Sequence, residues 1–194
     1  MSDDIITPEL VLRGYAQGIF PMAETATSPD IFWLDPKRRG ILPLDKFHVS
    51  RSLAKRMRSL PHKFAFNLDF TGVVRACADR EETWINPTLF DLYHQLNAMG
   101  FAHSAEVWVN GKLYGGVLGI TLNGAFFGET MFSNGVDGSK IALAHLTDHL
   151  TAKGFTLFDT QFLTDHLARL GGIEISRAEY RGMLERALRV QTEI

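Results

Sequence analysis

Asp159 and Gln161 stand two residues apart at the end of an apolar run, within GFTLFDTQFLTDHLARLGG at 154–172. In an extended strand residues i and i+2 project from one face, so a carboxylate and a primary amide would point together into whatever lies beside that strand. Such a pair can orient an incoming amine and accept from it while an amide holds a carbonyl oxygen, which is what acyl transfer to nitrogen requires. The same residue types after a strand also cap helices, and a helix is predicted just beyond them. A third polar candidate, Glu129, closes the aromatic-rich strand FFGETMFS. An acid among apolar side chains either pairs or takes part in chemistry. Trp84, in EETWINP, lies between an acidic pair and a capped helix, a setting that suits stacking on a base or ordinary core packing.

Other chemistries find less support. His145 and His149 are four apart on a predicted helix and would share a face, but the intervening Leu-Thr-Asp lacks the glutamate of the zinc protease motif, and no metal site is expected. Gly115, Gly116 and Gly119 lie inside a strand pattern, where glycine permits close backbone approach, and no phosphate loop ending in Gly-Lys-Ser/Thr is present. Gly138-Ser139-Lys140 before a helix suits an anion or a plain cap. There is no G-x-S-x-G elbow, and the single cysteine, Cys77, sits in the apolar run VVRACA, so it is expected to be buried and inert.

The elements that must position these residues follow from caps, turns and periodicity in a chain of 194 residues, 45% hydrophobic and 22% charged. That composition fits one domain, or one domain with a small lobe. No apolar run approaches the roughly 20 residues that cross a bilayer, and the acidic start MSDDIITPEL is unlike a signal peptide, so a cytosolic protein is expected. Thr7-Pro8-Glu9 opens a helix up to Gly18; Pro21, Pro29, Pro36, Gly40 and Pro43 imply loops and short strands after it. Ser50 caps a basic helix to about Leu60, 63–67 reads as a strand, and Asp69 caps a helix through Ala78. Asn86-Pro87 starts a helix that ends at Gly100. Three strands, 103–109, 112–122 and 125–131, are joined by Asn110-Gly111 and Asn123-Gly124, the favoured two-residue hairpin turns. A helix from Ser139 to about Lys153, a short strand 155–158 and helices near 163–170 and 177–189 complete an α+β chain. The expected division is a small N-terminal lobe, 1–62, and a main domain, 63–194.

Charge is unevenly spread. The formal net charge is −2, yet nine of the twenty basic residues fall between Lys37 and Lys63 against Asp45 alone. Such a patch can attract a polyanion whatever the total charge, and it can equally be a solvated helix face.

The motifs GIFPM at 18–22, FHVSRS at 47–52, TWINP at 83–87, HSAEVW at 103–108, GETMFS at 128–133, SKIAL at 139–143 and DTQFLTDHLARLG at 159–171 occur in order. Together they resemble the leucyl/phenylalanyl-tRNA protein transferases, from about Leu10 to Leu188. The resemblance implies an enzyme that takes leucine, phenylalanine or methionine from charged tRNA. It would join that residue to the α-amino group of a protein with an N-terminal Arg or Lys, marking it for degradation by the N-end rule. No metal or organic cofactor is implied. The implied fold is an acyltransferase domain like that of acetyl-CoA-dependent N-acetyltransferases, preceded by a smaller lobe.

Residue by residue, the resemblance makes Asp159 and Gln161 the catalytic pair, the acid working through the amide, and Glu129 the acid that positions the aminoacyl end. An aminoacyl ester is already activated, so aligning amine with carbonyl and handling one proton and one oxyanion suffices, without a covalent enzyme intermediate. Trp84 and Met22 fall where the family binds the terminal adenosine, with Met22 standing where longer members have tryptophan. Phe126, Met131, Leu143, Leu146, Leu150 and Phe158 fall at its apolar pocket, and Arg51, Lys55, Arg56 and Arg58 would meet the tRNA backbone. Longer members also carry a further N-terminal stretch, so acceptance of Asp or Glu amino termini is an alternative. An acetyl-CoA-dependent enzyme would need an R/Q-x-x-G-x-G/A loop that this sequence lacks, and a non-catalytic tRNA-binding protein would not depend on the Asp159 and Gln161 side chains.

Overall fold

The computed structural model describes residues 6–79 and 83–194. The acidic start MSDD and the pair Glu81-Glu82 preceding Trp84 lie outside the described residues. In chain order the elements are α1 (Pro8–Ala16), β1 (Phe20–Ala23), β2 (Ile31–Leu34), β3 (Arg38–Ile41), α2 (Arg51–Ser59), β4 (Lys63–Phe66), α3 (Phe70–Ala78) and α4 (Pro87–Ala98). They continue with β5 (Ala102–Val109), β6 (Lys112–Leu122), β7 (Ala125–Ser133), α5 (Gly138–Lys153), β8 (Leu157–Gln161), α6 (Asp165–Arg169), β9 (Ile173–Ser176) and α7 (Arg177–Ala187). The helix starts are where the caps imply: the side chains of Thr7, Ser50, Asp69 and Asn86 accept from backbone N–H groups of the first turns of α1, α2, α3 and α4. Among the described residues, no helix is long and apolar enough to cross a membrane.

β1 and β2 form a separate antiparallel pair, while the other strands make a seven-stranded sheet in the order β4-β5-β6-β7-β8-β3-β9. The meander β5-β6-β7 turns at Asn110-Gly111 and Asn123-Gly124, where Asn110, Gly111 and Asn123 take φ of 51°, 73° and 53°. The expected boundary at residue 62 does not divide the sheet in two. β3, from the first 62 residues, lies inside it between β8 and β9, and α1 packs on its face. β8 also runs three residues further than the predicted strand, so Asp159 stands within it rather than beyond its end.

Strand alternation separates two cores. Leu118, Ile120, Phe127 and Leu157 face α1, α3, α4 and α7, whereas Val117, Phe126 and Phe158 face α2, α5 and α6. Two irregularities prepare the site. A bulge interrupts the β6–β7 register: Leu118 pairs with Thr130 and Gly119 with Gly128, leaving Glu129 as the extra residue. The parallel pairing of β7 with β8 spans only Ala125–Phe127 against Leu157–Asp159. Beyond it the two strands have no common ladder and a gap opens.

β3 closes the far side of β8 through Gly40, which is paired with Gln161. A Cβ added at Gly40 would lie 2.5 Å from the carbonyl carbon of Phe162. No real Cβ tolerates that approach to backbone, so Gly40→Ala should push the 161–163 segment away. We expect a loss of about 1–3 kcal/mol in urea unfolding together with slowed catalysis; an alanine variant as stable and active as the parent would show that this backbone yields freely.

Candidate active site

The gap between β7 and β8 is a cavity of about 240 Å³. Gly128, Glu129, Thr130 and Met131 line it from β7, Thr160 and Gln161 from β8, and Phe20, Pro21 and Met22 from β1. Trp84, Phe162 and Thr164 complete its more open parts, and Val117, Leu143, Phe158 and Leu167 supply apolar wall. The cavity thus has two chemically different regions. One is hydrocarbon and aromatic; the other carries a carboxyl and an amide.

Glu129 is 7% exposed and receives three hydrogen bonds. The Tyr15 hydroxyl on α1 donates to Oε1 at 2.6 Å, the Tyr93 hydroxyl on α4 donates to Oε2 at 2.9 Å, and Gln161 Nε2 donates to Oε1 at 2.9 Å. Burial pushes the Glu129 carboxyl up to about 7; the two tyrosine hydrogen bonds oppose that rise, the nearby Asp159 charge adds to it, and Arg39 counters it. Both tyrosines are held well above their ordinary range, first by burial and then by the Glu129 charge, so they stay protonated donors.

Because Gln161 gives its N–H to Glu129, its carbonyl oxygen is the end available to accept a hydrogen bond at the cavity. Gln161 reaches this position from φ 63°, a left-handed conformation that non-glycine residues adopt at a cost. Asp159 behaves differently from its sequence neighbour. It is 0% exposed, does not line the cavity, and has both oxygens engaged. Arg39 Nε donates to Oδ1 at 2.9 Å and Nη2 to Oδ2 at 2.6 Å, Tyr180 Oη donates to Oδ2 at 2.6 Å, and the Gln161 backbone N–H donates to Oδ1 at 2.8 Å. The carboxylate and the amide expected to face one space together are therefore divided: the amide meets the cavity and the acid supports it from behind.

Of the six residues expected in an apolar pocket, Met131, Leu143 and Phe158 line the cavity. Phe126, Leu146 and Leu150 do not; they are 1%, 0% and 0% exposed in the core behind it, Phe126 standing edge-on to Phe158 at 4.9 Å. Val117, Leu167, Phe20 and Phe162 line it and were not singled out, since apolar residues in strands or short helices carry no mark of which ones border a gap. Met22 and Trp84 are both on the wall, half-buried, and Trp84 meets Tyr93 edge-on at 6.4 Å.

On α2, Arg51, Lys55 and Arg58 are exposed, whereas Arg56 pairs with Asp137 at 3.2 Å, as does Lys140 at 2.7 Å. His145 and His149 do not converge on a common centre: His145 Nε2 lies 2.8 Å from His62 Nε2, and the His149 ring packs on Phe66. Tyr15, Tyr93, Tyr180 and Arg39 were missed by residue-level reasoning. The tyrosines occupy ordinary core positions of amphipathic helices, and Arg39 is one of a run of surface-like basic residues.

The sequence profile of the leucyl/phenylalanyl-tRNA protein transferases matches residues 41–185, and that of their N-terminal domain matches residues 4–37. The chain belongs to this family. The two profiles meet beside β3. Proteins named leucyl/phenylalanyl-tRNA--protein transferase include one from Cereibacter sphaeroides (strain ATCC 17025), 60% identical over 100% of this chain and 90% of its own length. One from Ruegeria sp. (strain TM1040) is 60% identical over 94% of this chain and 87% of its own, and one from Jannaschia sp. (strain CCS1) 52% identical over 97% and 89%. Among solved structures, FemX superposes with a TM-score of 0.57 at 11% identity, covering 78% of this chain and 62% of its own. L-PGS from Bacillus licheniformis superposes with a TM-score of 0.51 at 13% identity, covering 78% and 65%. These two likenesses concern the fold.

The raised Glu129 carboxyl has a consequence for stability. It ionises near its ordinary 4.5 in the unfolded chain and near 7 in the folded one, so folding loses ground as pH rises between those values and no further above them. Glu129→Gln cannot titrate. The stability of the parent relative to this variant should therefore fall from pH 4.5 to 7 in denaturant titrations; a pH-independent difference would mean that the site neutralises the charge fully.

Proposed function

We propose that this cavity carries out aminoacyl transfer from tRNA to a protein amino terminus, with the apolar region taking the amino-acid side chain and Gln161 orienting the attacking amine. The decisive support is the placement of a fixed amide carbonyl beside an apolar pocket in a chain of the leucyl/phenylalanyl-tRNA protein transferase family. Leucine, phenylalanine or methionine would lie against Val117, Met131, Leu143 and Phe158, a surface that rejects charged side chains and distinguishes weakly among apolar ones. Trp84, with Met22 beside it on the cavity wall, would hold the unpaired terminal adenosine by stacking.

The neutral α-amine of the acceptor donates an N–H to the Gln161 carbonyl oxygen, which turns its lone pair toward the ester carbon. The new C–N bond forms, the bond to the ribose oxygen breaks, and the proton lost by the nitrogen ends on that oxygen. Glu129 holds Gln161 by its Nε2 and so decides which end of the amide meets the amine. No covalent enzyme intermediate enters this scheme. Acceptors with N-terminal Arg or Lys, and their delivery to degradation by the N-end rule, follow from the family. A cytoplasmic location follows from the need for charged tRNA. The splayed parallel pair β7–β8 with flanking helices supports an N-acetyltransferase-like arrangement of the sheet.

Gln161→Ala should lower the rate of leucine transfer by about 10²-fold while charged tRNA still binds, since one positioned polar group is worth that order. Loss of tRNA binding in parallel with rate would instead make Gln161 structural. With a peptide panel differing only in the first residue, Arg and Lys should be labelled; labelling of Asp or Glu would reassign the acceptor class. Removing the exposed charges with Lys55→Ala and Arg58→Ala should weaken tRNA binding and reduce the slope of log affinity against log salt by about 1 per lost phosphate contact. An unchanged slope would move the RNA surface away from α2.

A further inference from the structure

Arg39 heads the fully buried side chains by size, at 1% exposure. Its guanidinium lies between the rings of Phe20 and Tyr180, 4.5 Å from each centroid, and Nη1 donates to the Gly18 carbonyl at 3.2 Å. Nε and Nη2 form the two-pronged contact with Asp159, and Nη2 also donates to the Tyr180 hydroxyl at 3.3 Å. A buried ion pair is poor value as a source of stability, because desolvation of both charges offsets most of their attraction, and apolar residues of the same volume often do as well. Its geometry here serves a neighbour. Asp159 Oδ1, held by Arg39 Nε, accepts the Gln161 backbone N–H at 2.8 Å, and Gln161 is the residue at φ 63°. A non-glycine residue persists in that conformation only when its surroundings over-determine it.

We infer that Arg39 and Tyr180 are positioning residues for the transfer step: they fix Asp159 so that it holds Gln161 in the left-handed conformation from which its amide meets both Glu129 and the cavity. The inference rests on the role proposed above for Gln161. Neither residue lines the cavity, so each acts through Asp159 rather than on substrate. Tyr180 donates to Oδ2, the oxygen not bound to the Gln161 backbone, and Arg39 binds both oxygens, so together they remove the carboxylate's freedom to rotate. Lysine cannot replace this fork, having a single nitrogen on a flexible stem.

The test is a set of double-mutant cycles on the full chain, read as leucine transfer from charged tRNA to an N-terminal Arg peptide. Arg39→Lys and Tyr180→Phe are each combined with Gln161→Ala. Each of the two single variants should lower kcat, by about tenfold or more for Arg39→Lys and less for Tyr180→Phe, with KM for charged tRNA unchanged. In the Gln161→Ala background neither should lower the rate further, because the amide through which they act is gone. A general structural role predicts the opposite: losses that multiply in the double variants, or a KM that rises with kcat intact, and either result overturns the proposal. Tyr180→Phe deletes one hydroxyl and keeps the ring, so its cycle decides the matter where Arg39→Lys does not fold. A Gln161→Ala variant at the parental rate would overturn the proposed role of Gln161 and this inference with it. An impaired Gln161→Ala whose losses multiply with the others overturns this inference alone.

Discussion

Two charge-assisted hydrogen bonds between Arg39 and Asp159, formed where water does not reach, tie the N-terminal part of the chain to the strand that carries the site. The pair joins β3 to its neighbour β8, and its surroundings come from three more elements: Phe20 on β1, the carbonyl of Gly18 after α1, and Tyr180 on α7. Removing either charge alone would strand the other in a low-dielectric interior, at a cost on the order of 3–5 kcal/mol. The whole set must therefore assemble together. This is why β3, which the sequence reading placed in the small lobe of residues 1–62, is joined to the main sheet.

The site is made by two departures from regular sheet geometry. Strand pairing normally consumes backbone groups and leaves no room between neighbours, so a cavity inside a sheet requires strands to part. β7 and β8 do so after three pairs, and the bulge at Glu129 changes the alternation of β7 at the same place. As a result Phe127 and Phe132, an odd number of residues apart, both pack on the α1/α4 side, and Phe126 and Met131 both face α5. Glu129, freed from the ladder, turns to the tyrosine hydroxyls of α1 and α4. The carboxyl on the cavity wall is thus carried by the same irregularity that opens the space.

The division between a buried acid and an amide on the cavity wall has a simple electrostatic basis. In the proposed transfer, a second carboxylate on the cavity wall beside Glu129, ionised at neutral pH, would add to the attraction of the protonated form of an incoming amine, which has no lone pair to attack with. A neutral amide carbonyl accepts a hydrogen bond from the neutral amine without favouring its ammonium form to the same degree. Placing Asp159 behind the strand, compensated by Arg39, keeps its charge away from that choice while its hydrogen bond fixes the amide.

Much of this was legible in the sequence wherever the cause is local. The Asn-Gly turns, the capping residues and the helical periodicities act within a few residues of themselves, so the β5-β6-β7 meander and the starts of α1 to α4 were read correctly, and Asp159, Gln161 and Glu129 stood out by residue type. What the sequence left open depends on which distant segments meet. The four-residue strand RRGI has no apolar alternation to show that it is buried between β8 and β9; its arginine was counted among surface charges because only Asp159, far along the chain, makes burial of Arg39 tolerable. The bulge, the parting of β7 from β8, and the choice of Met131, Leu143 and Phe158 over Phe126, Leu146 and Leu150 as cavity wall are consequences of register and packing. Local chemistry thus determined the elements and the kinds of group available, and non-local pairing decided which of them face the cavity.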